Sequence, residues 1–356
     1  MSTQPATQPV LDVRNLYVEY MTDRGAVRAV ENVSFQVAPG EVFGLAGESG
    51  CGKSTIAHTI LRVLRPPALI RRGEILYKGI DVLKMDKMSL EEYRKQLLAV
   101  EGVKNLKNTL NPIEAFRWDE VSMVFQSAMN SLNPVIRISD QLMDTILTHE
   151  NISKDEARAR AEELMAIVNI DKRRLNSYPH ELSGGMRQRV VIAIALALKP
   201  SLMVMDEPTT ALDVVVQKDI LQQIEELKKK FGFSILFITH DLSLMVEFSD
   251  RIGIMYAGEI VEMAPAREIL TKPLHPYTQG LLTSFPSITG ARVKLTGIAG
   301  SPPNLLRPPE GCRFHPRCLY WDKVDATESP RLEEVTPGHF VACTCHKQEI
   351  LRIAAE

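Results

Sequence analysis

The stretch Gly47-Glu48-Ser49-Gly50-Cys51-Gly52-Lys53-Ser54 decides how the rest of this 356-residue chain is read. It fits the pattern G-x-x-x-x-G-K-S/T. Glycines let a loop wrap closely and present backbone N–H groups to phosphate oxygens. A helix beginning at the end of the loop adds the positive end of its dipole. Lys53 is then the side chain that reaches β- and γ-phosphates, and Ser54 the hydroxyl that meets Mg²⁺. The flanks suit this reading. "EVFGLAG" before the loop is a short apolar strand fit for burial on both faces. "STIAHTILRVL" after it predicts a helix ending before Pro66-Pro67.

Upstream, "VLDVRNLYVEY" and "AVRAVENVSFQV" alternate apolar and polar residues, which predicts two antiparallel strands joined by the turn "MTDRG". Downstream, "GEILYKGIDV" reads as a hairpin-type strand region, "SLEEYRKQLLAVEG" as a helix and "VSMVFQ" as a strand. "SKDEARARAEELMAIVNI" predicts an amphipathic helix with a serine cap and an acidic first turn. "SGGMRQRVVIAIALAL" predicts a helix starting after two glycines. "SLMVMDEP", "FSILFITHD" and "RIGIMYAGEIVE" read as buried strands. The helix "VVVQKDILQQIEELKKKFG" joins the first two, which predicts a right-handed βαβ unit. Asp206 ends one buried strand, positioned to hold Mg²⁺, and Glu207 beside it to polarise an attacking water.

Composition sets bounds. The chain is 45% hydrophobic and 24% charged with a formal net charge of -2, so no global basic field points to nucleic acid. The apolar run Val190 to Leu198 stops at Lys199, well short of the roughly 20 residues of a membrane span. "MSTQPATQPV" has no charged n-region or apolar h-region, which predicts a cytoplasmic chain that works at a membrane only through partners.

With "LSGGMRQR" (Leu182 to Arg189), the loop and the Asp-Glu pair form a set that, over about residues 10 to 262, resembles an ATP-binding cassette (ABC) ATPase. The resemblance implies a P-loop α/β fold: a mixed-sheet core of RecA type, an antiparallel β subdomain and an α-helical subdomain at about 127–190. It implies that Tyr20 stacks on adenine and that Gly47, Glu48, Ser49, Gly50, Cys51, Gly52, Lys53, Ser54 and Thr55 bind ATP. Mg²⁺ is implied at Ser54, Gln126 and Asp206, and catalytic roles at Glu207, His240 and Gln126. Ser183, Gly184, Gly185 and Asp213 are implied to meet the ATP held by a second cassette in a head-to-tail dimer. Met186 stands where many cassettes have glutamine. Residues 98–118 are longer than usual before the Q-loop strand and read as a solvated surface insertion.

Beyond about Glu262, prolines multiply, marking a loop-rich extension over 263–356. "HPYTQGLLTSFP" and "GCRFHPRC" resemble the C-terminal extension of oligopeptide, dipeptide and nickel importer ATPases. Many such tails hold a 4Fe–4S cluster on four cysteines. Cys312, Cys318 and Cys343 match that pattern; Asp325 stands where another cysteine is usual, and Cys345 is additional. A cluster on Cys312, Cys318, Cys343 and Cys345, free thiols and tetrahedral zinc are the alternatives. His315 and His346 read as surface or packing residues.

Two functions are implied. The first is the ATPase of an importer on the cytoplasmic face of the membrane. Its partners would be a second, different ATPase chain, two transmembrane permeases and an extracytoplasmic substrate-binding protein, with no nucleic acid. The second is a soluble, non-transport cassette acting on nucleic acid or ribosomes. Such relatives have coiled-coil insertions or two cassettes, and this chain has neither.

Overall fold

The computed structural model describes residues 8–98, 111–126, 131–210, 212–283, 297–320, 329–344 and 350. Its strands are β1 (Leu11–Thr22), β2 (Gly25–Val37), β3 (Val42–Ala46), β4 (Ala68–Tyr77), β5 (Ile80–Asp81), β6 (Val121–Val124), β7 (Leu202–Asp206), β8 (Ser234–Ile238), β9 (Arg251–Tyr256), β10 (Glu259–Pro265), β11 (Glu333–Thr336) and β12 (His339–Val341). Its helices are α1 (Lys53–Ile60), α2 (Leu90–Leu98), α3 (Pro112–Ala115), α4 (Ile138–His149), α5 (Lys154–Ile167), α6 (Gly184–Leu196), α7 (Val214–Phe231), α8 (Leu242–Phe248), α9 (Ala266–Thr271) and α10 (Pro276–Thr283). The chain divides into two compact units: Met1–Asp12, Gln36–Glu41 and Ile75–Leu236 form the first, and Val13–Phe35, Val42–Glu74 and Phe237–Glu356 the second.

In the first unit, β6 and β7 run parallel, with Val121 opposite Leu202 and Val124 opposite Met205. Every residue of both strands is buried, which suits their mainly apolar sequence and also buries Ser122 and Asp206. Helices α4, α5 and α6 pack together. The α5 start is the expected one: Ser153 accepts from the Glu156 N–H, and the Glu156 side chain accepts from Ser153 N. Helix α4 falls within the helical region expected at about 127–190, although no separate helix is read there from the sequence. Its buried Ile138, Leu142 and Ile146 recur at helical spacing, but Arg137 at its start offers no side-chain cap. A buried ion pair, Lys78 to Glu120 at 3.2 Å, sits beside the β4–β5 turn. Tyr77 donates to the same Glu120 oxygen at 2.7 Å.

In the second unit, β3 runs parallel to β9, with Phe43 opposite Arg251 and Ala46 opposite Ile254. The stretch "RIGIMYAGEIVE" is an antiparallel hairpin, β9–β10, turning at Ala257-Gly258. Helix α1 is shorter than its sequence predicts. Arg62 takes a left-handed φ of 55°, and the N–H groups of Arg62 and Val63 fold back onto Thr59 and His58. That is a Schellman stop without the glycine that would signal it.

Among the described residues the loop-rich extension also carries regular elements. Its β12 pairs with β10 and its β11 with β12, so the sheet order runs β11-β12-β10-β9-β3. Glu262 on β10 is fully buried, and three donors compensate its carboxylate: Leu274 N, His275 N and His339 Nε2, at 2.7, 2.9 and 2.7 Å. Leu274, Val341 and Ile350 form a small apolar cluster beside it. Two of its prolines start helices, Pro276 opening α10 and Pro265 preceding α9, while Pro302, Pro303, Pro308 and Pro309 lie in irregular loop as expected.

Candidate functional site

The phosphate loop lies in the second unit, running from buried β3 into α1 as the sequence predicts. Gly47 and Gly52 have φ of 148° and 107°, and a Cβ on either would collide with a backbone carbonyl, that of Met255 or of Ala29. The loop is therefore wedged between β2 and the end of β9, which no side chain at those two positions permits. Lys53 is buried, and its ammonium donates to the carbonyls of Gly47 (2.8 Å) and Glu48 (3.0 Å). The loop's own oxygens thus hold the cation in place. Cys51 is a buried filler whose sulfur accepts from Lys53 at 3.5 Å. Burial pushes its thiol pKa up, against the pull of the Lys53 charge. Ser54 and Thr55 follow in the first turn of α1, and Tyr20 reaches from β1 to within 3.3 Å of the Thr55 hydroxyl. His240 is exposed just after β8, beside Asp241, which caps α8 through the N–H groups of Ser243 and Leu244.

The acidic pair lies in the first unit. Asp206 is the last residue of β7 and is buried. Glu207 follows with φ of 48°, a left-handed conformation uncommon for a residue with a side chain. Its Oε2 accepts from Gln126 Nε2 at 3.0 Å and from the Thr210 hydroxyl at 3.1 Å. Gln126 and Glu207 are thus brought together as a site would need. Thr210 joins the site with no motif of its own beyond its position three residues after Glu207.

Ser183 caps α6, its hydroxyl accepting from Met186 N at 3.3 Å, so Met186 contributes a backbone N–H there. Gly184 and Gly185 are the first residues of α6, and a Cβ on Gly185 would press into Val216 of α7. Asp213 caps α7 through the Val216 N–H at 3.0 Å. Gln217 then ties the preceding loop down, donating to the carbonyls of Thr209 and Leu212.

The Ser54 hydroxyl and the Asp206 carboxylate are hard oxygen donors of the kind Mg²⁺ takes. The tail cysteines are a different case. Among the described residues no group of three His, Cys, Asp or Glu side chains is placed to hold a metal ion. Cys343 packs against the Leu274, Val341 and Ile350 cluster, and Cys318 is buried with its sulfur accepting from Tyr320 N at 3.4 Å. Cys312, Cys318 and Cys343 therefore do not fit a shared cluster; Cys345 and Asp325 lie outside the described residues, as do residues 99–110 of the long segment before β6. The described part of that segment buries Pro112, Ala115 and Phe116 and so is not the solvated insertion expected.

A glycine loop leading from a strand into a helix, and a buried strand ending in Asp-Glu, define a P-loop nucleotide-hydrolysing protein. The family model "ABC transporter" matches residues 30–210, and "Oligopeptide/dipeptide transporter, C-terminal region" matches residues 261–323. The oligopeptide transport ATP-binding protein OppD of Bacillus subtilis (strain 168) is 40% identical over 336 residues, covering 93% of this chain and 87% of the relative. The dipeptide transport ATP-binding protein DppD of Lactococcus lactis subsp. cremoris (strain MG1363) is 42% identical over 338 residues, 94% of this chain and 90% of the relative. A solved ATP-binding cassette, dimeric in a post-hydrolysis state with ADP and Pi, aligns with a TM-score of 0.58 at 27% identity, over 72% of this chain and 99% of that one. The chain belongs to the ABC transporter family and is one of its ATP-hydrolysing subunits, of the oligopeptide/dipeptide branch. Among the described residues no helix is long and apolar enough to cross a membrane.

Proposed function

We propose that this chain powers an importer of oligopeptides or dipeptides, with nickel and oligosaccharides as the related cargoes. The observation that carries the reading is the joint presence of the nucleotide machinery and of an extension matched over residues 261–323 to oligopeptide/dipeptide transporters. Residues 10–262 form the ATPase domain, with its helical subdomain at about 127–190, and 263–356 the extension. Its partners are a second ATPase chain in a heterodimer, two permeases and an extracytoplasmic binding protein, and it sits on the cytoplasmic face of the membrane. No role with nucleic acid is part of the proposal.

In the mechanism we assign, the N–H groups of residues 47–54 and the Lys53 ammonium hold the phosphates, and Tyr20 holds adenine. Glu207 takes a proton from water as its oxygen attacks the γ-phosphorus. The bond to the β-phosphate oxygen breaks and ADP leaves. The hydrogen bonds from Gln126 and Thr210 support this reading by fixing the carboxylate before substrate arrives, which is positioning done in advance. His240 contacts the γ-phosphate. Ser54, Asp206 and Gln126 are the residues that would hold Mg²⁺, which would supply charge neutralisation. Ser183, Gly184, Gly185 and Asp213 serve the ATP of the partner chain. An iron–sulfur cluster gains no support from the described cysteines; iron and acid-labile sulfide analysis of protein purified without oxygen is its test.

Co-expression with the neighbouring permeases tests the importer reading. Co-purification from membranes and ATPase activity stimulated by peptide-loaded binding protein are expected. Recovery without permeases, bound to nucleic acid, would overturn it.

A further inference from the structure

We propose that residues 312–318 of the extension act as a clasp on the phosphate loop, with Arg317 a positioning residue that works through Glu48. The proposal rests on the loop being the ATP site. Arg317 grips the Glu48 carboxylate with a bidentate fork, Nη1 to Oε2 at 2.9 Å and Nη2 to Oε1 at 3.1 Å, while only 5% of its side chain is exposed. Its remaining donors are also used. Nε donates to Ala299 O at 2.9 Å, Nη2 to Ile298 O at 3.4 Å and Nη1 to Tyr256 Oη at 3.3 Å. A guanidinium has five N–H groups, so this one is fully committed and cannot swing away without losing all of them.

Glu48 is fixed at three points. Arg317 holds its carboxylate, the Tyr277 hydroxyl accepts from its N–H at 3.0 Å, and Lys53 donates to its carbonyl. Arg317 and Tyr277 both come from the extension. Between them Phe314 packs edge-on to Tyr256 and tilted against Tyr277, with ring centroids 5.1 and 5.4 Å away. A second arginine provides the other foot. Arg313 is buried, donates to Ala257 O and Glu31, and lies 3.3 Å from Glu259. That grip holds the β9–β10 turn, whose Gly258 N–H donates to Cys51 O in the loop at 3.0 Å. The clasp therefore reaches the loop directly at Glu48 and indirectly at Cys51. A glycine-rich loop loses much freedom when it closes on phosphates. Holding it in one arrangement beforehand lowers the ordering cost of binding.

The test is ATP affinity of the full chain, measured by calorimetry in EDTA so that hydrolysis does not intrude. Arg317→Ala is expected to weaken ATP binding by about tenfold, the order of one charge-assisted bidentate pair. Arg317→Lys should recover only part of this, because an ammonium cannot form the fork. In a Glu48→Gln background, Arg317→Ala should cost much less than it does alone, a coupling that general loss of fold would not produce. Tyr277→Phe removes a single hydroxyl and should weaken binding on its own, which keeps the test decisive if Arg317→Ala does not fold. Loss of affinity in Lys53→Ala with wild-type affinity in both Arg317→Ala and Tyr277→Phe overturns the clasp. So does full additivity of Arg317→Ala with Glu48→Gln. Wild-type affinity in Lys53→Ala overturns the loop reading itself.

Discussion

Gln126 donates its side-chain amide to Oε2 of Glu207 at 3.0 Å, joining residues 81 apart in the chain. The Thr210 hydroxyl reaches the same oxygen, and the Glu207 backbone sits at φ 48°. A residue with a side chain held there costs on the order of 1–3 kcal/mol and persists where its surroundings fix it. Two donors on one carboxylate oxygen are such surroundings.

Glu207→Gln should keep ATP binding and lose hydrolysis by about 10²–10⁴-fold, the usual worth of a general base. Phosphate release in the assembled transporter measures it, and full turnover would reject Glu207 as the base. Gln126→Ala should lower turnover more than ATP affinity, since it frees the carboxylate and leaves the loop intact.

Lys53→Ala should weaken ATP binding by roughly 10- to 100-fold, from the loss of a charge-assisted contact of about 1.5–3 kcal/mol. Equilibrium dialysis with labelled ATP reads this directly. The buried ammonium already lies on the loop carbonyls, so its removal also frees Gly47 O and Glu48 O.

Lys78→Met should destabilise the protein by about 3–5 kcal/mol, because it leaves the fully buried Glu120 carboxylate without its cation. The midpoint of urea unfolding measures this. Replacing both residues with apolar ones should cost less than Lys78→Met alone.

Stability should fall as pH rises through the range set by Glu259. Burial is the main force on its carboxyl, raising the pKa from 4.5 to about 7, with the Glu31 charge adding to it and Arg313 opposing it. The folded state then binds a proton that the unfolded state has released across that window, so stability declines with rising pH between those values. Melting temperatures from about pH 5 to 8 should show a shallower decline for Glu259→Gln. An unchanged slope would remove Glu259 as the source.

The sequence by itself determined the loop, the acidic strand end and the signature helix, because their chemistry depends on residue types at short fixed spacing. Gly47 to Ser54, Asp206-Glu207 and Ser183 to Gly185 are each local. The strands β3, β7 and β8 were legible for a similar reason, since burial on both faces demands unbroken apolar runs. Where a local stop or start lacked its usual residue, as at Arg62 and Arg137, the element was misjudged or missed. Only the tertiary structure decided where the proline-rich extension makes its contacts. Its contacts with Glu48 span 229 residues to Tyr277 and 269 to Arg317. No local propensity encodes a pair that far apart. The same holds for Glu262 and His339: a glutamate in a buried strand is unfavourable until a distant turn and a distant histidine supply its three donors.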